Sequence, residues 1–291
     1  MNNISNAILG TFVEGYEVVA KLHDNGVTAI YVLENELDSK ALKLSLTPSA
    51  DSIIRHEARV LSQIKHPGII KLISSIEIGS RPALILERLY GDLAERLPLS
   101  ENQTVYVVRQ LLPAIKAVHT AGYAHLDLKP ENIGLNHENR PVIIDFGLAK
   151  PIGSRLESAT GSREYMAPEL ERANVDVKAN LDLYALGITI FELLYDAFPE
   201  WNSQKTSPSF PHPPPKALRN KLTRWLNPNP EKRFKSALEE DTEPFIEMTV
   251  KSKPKTNVSA KKGKPFFHIF MGLAIIGLIA GLIVLLFWKN D

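Results

Sequence analysis

The sequence has no cysteine, which removes disulfides, thiolate metal ligands and a cysteine nucleophile together. It is also nearly without net charge, since 34 Lys and Arg against 33 Asp and Glu leave +1. A general nucleic-acid binder carries a broad basic face, so no nucleic-acid partner is expected. Residues Met1 to Glu14 lack a basic stretch followed by an apolar run, and no cleavable export signal is expected from them. Proline is not scarce but uneven: Pro199 to Pro215 holds six of the 20 prolines with little periodicity, which predicts an irregular segment. Hydrophobic residues make up 44% of the chain, enough for one large or two small lobes plus an appendage.

The first 45 residues read as strands. Tyr16–Leu22, Ala29–Leu33 and Lys40–Leu44 are short, alternating or β-branched, and separated by polar turns. Ser49 or Asp51 is positioned to cap a following helix, in which Ile54, Ala58, Leu61 and Ile64 fall on one face and Glu57 borders it. A partly buried carboxylate needs a cation, and Lys43, at the end of Ala-Leu-Lys, is the candidate. Ala83-Leu84-Ile85-Leu86 is an apolar strand running into Glu87-Arg88-Leu89. From Glu101 to Ala121 the positions Val108, Leu111, Leu112, Ile115 and Val118 predict an amphipathic helix, kinked at Pro113 and stopped by Gly122. Leu181–Tyr195 is apolar on nearly every side and reads as a buried helix, with Asp182 at its start in need of backbone N–H partners. Helical spacing resumes from Leu218 to Leu226.

The chemistry concentrates in His125-Leu126-Asp127-Leu128-Lys129-Pro130-Glu131-Asn132. An acid, a cation and an amide share one short loop, and a second acid, Asp145, opens Asp-Phe-Gly directly after the apolar run Val142–Ile144. That arrangement suits holding Mg²⁺ and phosphate against a nucleophile. At these residues the sequence resembles the protein kinase family, with its catalytic loop H-R-D-x-x-x-x-N and its metal-binding D-F-G. The resemblance extends over about residues 12 to 247. It includes Lys-His-Pro-Gly-Ile-Ile at 65–70 and the peptide-receiving segment Gly161-Ser162-Arg163-Glu164-Tyr165-Met166-Ala167-Pro168-Glu169.

The resemblance implies an α+β, two-lobed protein-kinase-like fold. An antiparallel sheet with one helix forms the N-lobe (about 12–88), and a mostly helical C-lobe spans about 89–247. It implies ATP and Mg²⁺ as cofactors and Ser/Thr-bearing proteins as substrates. Asp127 would accept or orient the substrate hydroxyl proton and Lys129 would neutralise γ-phosphate charge, while Asn132 and Asp145 would hold the metal. For ATP it implies Leu22, Asn25, Gly26, Ile30, Ala41, Lys43 with its partner Glu57, and the backbone of Glu87 and Leu89, with Leu86 as gatekeeper. His125 is expected to hold the loop, Asp182 to anchor it, Ser162 to hydrogen-bond it, and Glu169 to pair with Arg233.

Several departures matter. Leu22 to Tyr31 keeps one glycine, Gly26, while His23, Asn25 and Thr28 take the family's glycine positions, which predicts a working but weaker phosphate lid. Leu126 replaces the arginine that pairs with an activation-loop phosphate, so activity is expected not to depend on phosphorylation of Ser158 or Thr160. Gly134 stands where the family often has a larger apolar residue under the adenine. The docking helix expected after Tyr195 should be shortened or absent.

Residues 248–265 are rich in Lys, Ser, Pro, Thr and Asn and read as a flexible basic linker. Ile269 to Trp288 is 20 residues without a charge, about 30 Å as a helix, the thickness of a bilayer core. The expectation is a transmembrane helix at 266–288. Lys251, Lys253, Lys255, Lys261, Lys262 and Lys264 precede it, which by the positive-inside rule keeps the catalytic domain cytoplasmic. Gly277 and Gly281, four apart, would permit a homodimer through that helix. The function expected is a membrane-tethered Ser/Thr protein kinase. The alternative is a pseudokinase-type ATP- or partner-binding scaffold with little turnover. A small-molecule phosphotransferase is opposed by the peptide-receiving segment.

Overall fold

The computed structural model describes residues 4–172, 174–202 and 206–239. The linker expected at 248–265, the helix expected at 266–288 and the Gly277/Gly281 pair lie outside the described residues. Among the described residues, no helix is long and apolar enough to cross a membrane.

After a one-turn helix, α1 (Ile4–Ala7), six strands form an antiparallel sheet: β1 (Phe12–Val13), β2 (Tyr16–Asp24), β3 (Thr28–Glu34), β4 (Ser39–Ser45), β5 (Leu72–Ile78) and β6 (Arg81–Glu87), in the order β1-β2-β3-β4-β6-β5. The period of two along each strand divides the sheet. Ala29, Tyr31, Leu33, Leu42, Leu44, Ala83 and Ile85 bury together on one face. Ile30, Val32, Ala41, Lys43, Leu84 and Leu86 therefore share the other. The cross-strand pairs Ile30↔Lys43, Val32↔Ala41, Lys43↔Leu84 and Ala41↔Leu86 set them side by side. One lysine thus stands among apolar neighbours on the face that meets the rest of the protein.

Helix α2 (Pro48–Gln63) packs against that face and buries Ile54, Glu57, Val60 and Leu61. Its cap corrects the expectation of Ser49 or Asp51. Thr47 is the N-cap, its side chain accepting from Ala50 N–H, and Pro48 takes the first helical position, where its missing N–H costs nothing. Asp51 is engaged instead by Ser45 Oγ at 2.5 Å and Arg81 at 3.1 Å.

The remainder is mostly helical. Helix α3 (Glu101–Thr120) begins with a capping box between Ser100 and Gln103 and runs through Pro113 without a break. Pro113 is exposed, as is Arg109 one turn before it, so the proline lies on the solvent side of the helix. Short strands follow: β7 (Tyr123–Ala124), β8 (Ile133–Leu135), β9 (Pro141–Ile143), β10 (Lys150–Pro151), β11 (Arg155–Leu156) and β12 (Val175–Asp176). The antiparallel β8–β9 pair carries the His125–Asn132 loop on one side and Asp145 on the other.

Helix α4 (Asn180–Tyr195) is buried along almost its whole length, as its composition predicts. Each of Leu186, Ile190 and Leu193, fully buried, contributes about 1.5–3 kcal/mol relative to an exposed side chain. The proline-rich stretch that follows forms a two-strand ribbon, β13 (Glu200–Trp201) with β14 (Pro208–Ser209), and no helix among its described residues. Helix α5 (Lys216–Trp225) then packs on α4.

Candidate active site

Lys43 reaches across the sheet face to two carboxylates. Its Nζ lies 2.6 Å from Glu57 Oε2 on α2 and 3.0 Å from Asp145 Oδ1, which is 102 positions away in the chain. Glu57 also accepts the Phe146 N–H at 3.3 Å, tying α2 to the segment after β9. Burial opposes charge on Lys43, but the two carboxylates outweigh it and hold the ammonium above its ordinary pKa. Burial pushes Glu57 upward, with Asp145 adding to the effect. For Asp145 burial acts the same way, but Lys43 and the Gly147 N–H prevail and keep it below the usual carboxylate range. Asp145 is itself in the left-handed region (φ 60°), which turns its side chain back to accept from Gly147 N–H. That side chain is 47% exposed, leaving oxygen available for a ligand.

The loop between β7 and β8 is over-determined. Asp182 on α4 accepts the backbone N–H groups of His125 and Leu126, each at 2.8 Å, and the ring Nε2–H of His119 at 3.0 Å. His119 Nδ1 accepts from Ala237 N–H, which fixes the hydrogen on Nε2. Burial disfavours the Asp182 charge, but His119 and the Leu126 N–H hold its pKa down. His125 is buried, stands edge-on to Phe146 and hydrogen-bonds Ile144 O through Nε2 at 3.0 Å, a holding role.

Asp127 then has both oxygens directed. Oδ1 accepts the Ser162 N–H at 2.8 Å and Oδ2 accepts Asn132 Nδ2 at 2.8 Å, while Lys129 Nζ lies 3.5 Å away and donates to Ser162 Oγ at 2.7 Å. Both Asn132 bonds, to Asp127 Oδ2 and to Asp127 O, are made by its amide NH₂. Its carbonyl oxygen is thus the atom left for a metal. With Asp145 this gives a hard oxygen donor set of the kind Mg²⁺ takes together with phosphate and water.

On the nucleotide side, Ala41 and Ile30 lie on the Lys43 face, and Leu22 sits at a register shift in β2 and is half exposed. The hinge is partly committed. Glu87 N–H bonds Lys71 O, and Leu89 O accepts from Arg88 at 2.6 Å. The Leu89 carbonyl thus already accepts one hydrogen bond from within the chain. The Leu89 side chain occupies the space beside Gly134: a Cβ at Gly134 would lie 2.4 Å from Leu89 Cδ1. The hinge therefore supplies the volume that a larger residue at 134 would. In the β2–β3 turn, which holds Asn25 and Gly26, the side chains of Asp24 and Asn25 bond the turn's own amides.

The segment from Asp145 to Glu169 is fastened at both ends. Gly161 (φ 107°) lies so close to the catalytic loop that a Cβ there would meet Leu126 O at 2.4 Å. Glu169 receives a bidentate pair from Arg233 at 2.7 and 2.8 Å, with the Arg233 side chain fully buried. Three partners escaped the sequence reading: His119 under Asp182, Arg88 on Leu89 O, and His56, whose Nε2 lies 2.6 Å from Ala149 O. Only His119 carried a signal, as a histidine on the buried side of an amphipathic helix.

With this geometry in place, the comparisons with known proteins are specific. Among curated relatives, serine/threonine-protein kinase dkf-2 of Caenorhabditis briggsae is 32% identical over 188 residues, 59% of this chain and 16% of its own length. Human serine/threonine-protein kinase D3 is likewise 32% identical over 188 residues, 59% of this chain and 21% of its own. The rat phosphorylase b kinase gamma catalytic chain, liver/testis isoform, is 32% identical over 183 residues, 58% of this chain and 45% of its own. The chain thus spans less than half the length of these relatives. The protein kinase domain family matches residues 10–266, most of the sequence, and the chain belongs to that family.

Proposed function

We propose that this protein is a Ser/Thr protein kinase that transfers the γ-phosphoryl group of ATP to Ser or Thr hydroxyls of protein substrates. In this reading residues 12–247 are the catalytic domain, 248–265 a linker and 266–288 a membrane helix that leaves the catalytic domain cytoplasmic. The observation that carries it is convergence. Lys43, Glu57 and Asp145 meet at one point, and Asp127, Lys129, Asn132 and Ser162 form a connected set beside it. The names of the relatives support the choice of Ser and Thr as acceptors.

Each residue has a role set by its contacts. Lys43, held by Glu57, presents a fixed positive charge to the nucleotide phosphates. Asp127, oriented by Asn132 and Ser162, takes or directs the proton of the incoming hydroxyl. Lys129 neutralises charge on the transferring group. Asn132 Oδ1 and the Asp145 carboxylate would hold Mg²⁺, whose charge would offset that of the phosphoryl oxygens. Leu126 leaves no arginine to read an activation-segment phosphate, so turnover proceeds without that modification.

The test is γ-labelled ATP with Mg²⁺ and a generic protein substrate. Wild type is expected to transfer label, and Asp127→Asn to lose about 10²–10⁴ of the rate. Equal incorporation by both would refute the assignment. For the anchor, a chain ending at Lys264 is expected in the soluble fraction, and its retention in membranes would refute the tether.

A further inference from the structure

The tip of the β2–β3 hairpin lies at the end of the sheet face that carries Lys43, because Ile30, two residues beyond Thr28, pairs directly with it. Three successive amides at this tip are the groups that would close over a phosphate chain, since consecutive backbone N–H groups make an anion cradle. All three already have acceptors. Asp24 Oδ1 takes the Gly26 N–H at 3.0 Å, and Asn25 Oδ1 takes those of Val27 at 3.0 Å and Thr28 at 2.8 Å. Lys21 Nζ lies 3.0 Å from Asp24 Oδ2 and 2.8 Å from Asn6 Oδ1, which steadies the carboxylate. Gly26, at φ 76°, supplies the left-handed residue that the turn requires.

We infer that Asp24 and Asn25 form a self-capped phosphate lid. Their oxygens stand where phosphate oxygens would bind, so ATP must displace them before the loop can grip it. The consequence is a protein that recognises the phosphate chain mainly from below, through Lys43 and the Mg²⁺ that Asn132 and Asp145 would hold, with an affinity held down by its own side chains. Asp24 adds a like charge beside the incoming phosphates, a cost that neutral Asn25 does not impose. The selectivity between adenosine and ATP, rather than the affinity for the base, is what these two residues set. This inference rests on the reading of the site as an ATP site.

Calorimetric titration of the full chain with ATP and Mg²⁺, and separately with adenosine, tests both. Asn25→Ala removes two caps without adding glycine's freedom, and is expected to bind ATP about five- to tenfold more tightly. Asp24→Asn, which keeps an acceptor but removes the charge, should give a smaller gain of about twofold to threefold. Adenosine affinity should be the same in all three proteins. Weaker or unchanged ATP binding by Asn25→Ala would overturn the inference while leaving the ATP site intact. Failure of both wild type and Asn25→Ala to bind ATP would overturn the ATP reading and the lid with it. Amide exchange on nucleotide-free wild type gives a check that needs no variant. Slow exchange at Gly26, Val27 and Thr28 is expected, and exchange at the rate of free peptide would overturn the capping.

Discussion

Replacing Asp182 by Asn should cost more than its isosteric shape suggests. The side chain is fully buried and accepts three hydrogen bonds, from His125 N–H, Leu126 N–H and His119 Nε2–H. Hydrogen bonds to a charged acceptor are worth about 1.5–3 kcal/mol each, and a buried donor left without an acceptor costs about 1–3 kcal/mol. Asparagine keeps one oxygen and can serve one or two of these donors at neutral strength. Its NH₂ must then face another donor, because Ala237 N–H fixes His119 with its hydrogen on Nε2. The loss is therefore roughly 3–5 kcal/mol, a large part of the roughly 5–15 kcal/mol of a typical domain. Asp127 follows Leu126 directly, so loosening the Leu126 amide should also lower kcat by more than about tenfold while the KM for ATP stays near wild type. Urea unfolding at matched m-values reads the first effect and steady-state transfer the second. The pH dependence separates the cause. The Asp182 pKa is held below its ordinary 3.8, so its contribution is complete above that value and lost as pH falls through the lower folded one. The gap between wild type and Asp182→Asn should be flat from neutral pH down to about 5 and close only in stronger acid. A gap under about 0.5 kcal/mol at neutral pH, or one that closes as histidine titrates, would refute this account.

Three further outcomes follow from the same contacts. Lys43→Met leaves Glu57 buried without its cation, and should abolish transfer and cost about 3–5 kcal/mol at neutral pH. Because burial already raises the Glu57 pKa, that penalty should shrink as pH falls and the carboxyl protonates; thermal melts at pH 5 and 8 with equal losses would contradict it. Gly134→Leu drives its side chain into the volume of Leu89 and should raise the Kd for ATP about tenfold. The double variant Leu89→Ala, Gly134→Leu should recover most of the loss, and no recovery would show that the two positions do not share space. Ser158→Ala with Thr160→Ala should change the transfer rate less than about twofold, within about 0.4 kcal/mol of the barrier, and a large loss would show dependence on phosphorylation of that segment.

Much of this was legible from residue order. Strand alternation placed β2, β3 and β4 to within about two residues, the margin within which such boundaries are ordinarily fixed, because one face had to be apolar throughout. The pairing of Lys43 with Glu57 was legible because a buried charge has few acceptable neighbours, and that of Glu169 with Arg233 because both lie in segments that resemble the family's. The cap of α2 was not: Thr47, Ser49 and Asp51 are all competent, and the choice is settled by Pro48 and by the pull of Ser45 and Arg81 on Asp51. Pro113, where a kink was expected, lies on the exposed side of α3 and does not end the helix. The exchange of volume between Gly134 and Leu89 depends on a rotamer direction that sequence does not encode. The capped amides at Gly26 to Thr28 were hidden for another reason, as Asn and Asp signal a turn whether or not their oxygens close it.

The contact between Gly161 and the Leu126 carbonyl has a wider consequence. Two segments meet there main chain to main chain, with Lys129 and Asp127 both bonded to Ser162 beside the contact. Any residue with a Cβ at 161 would force the two segments apart, so their spacing is set by the backbone, and glycine at that position is what permits it.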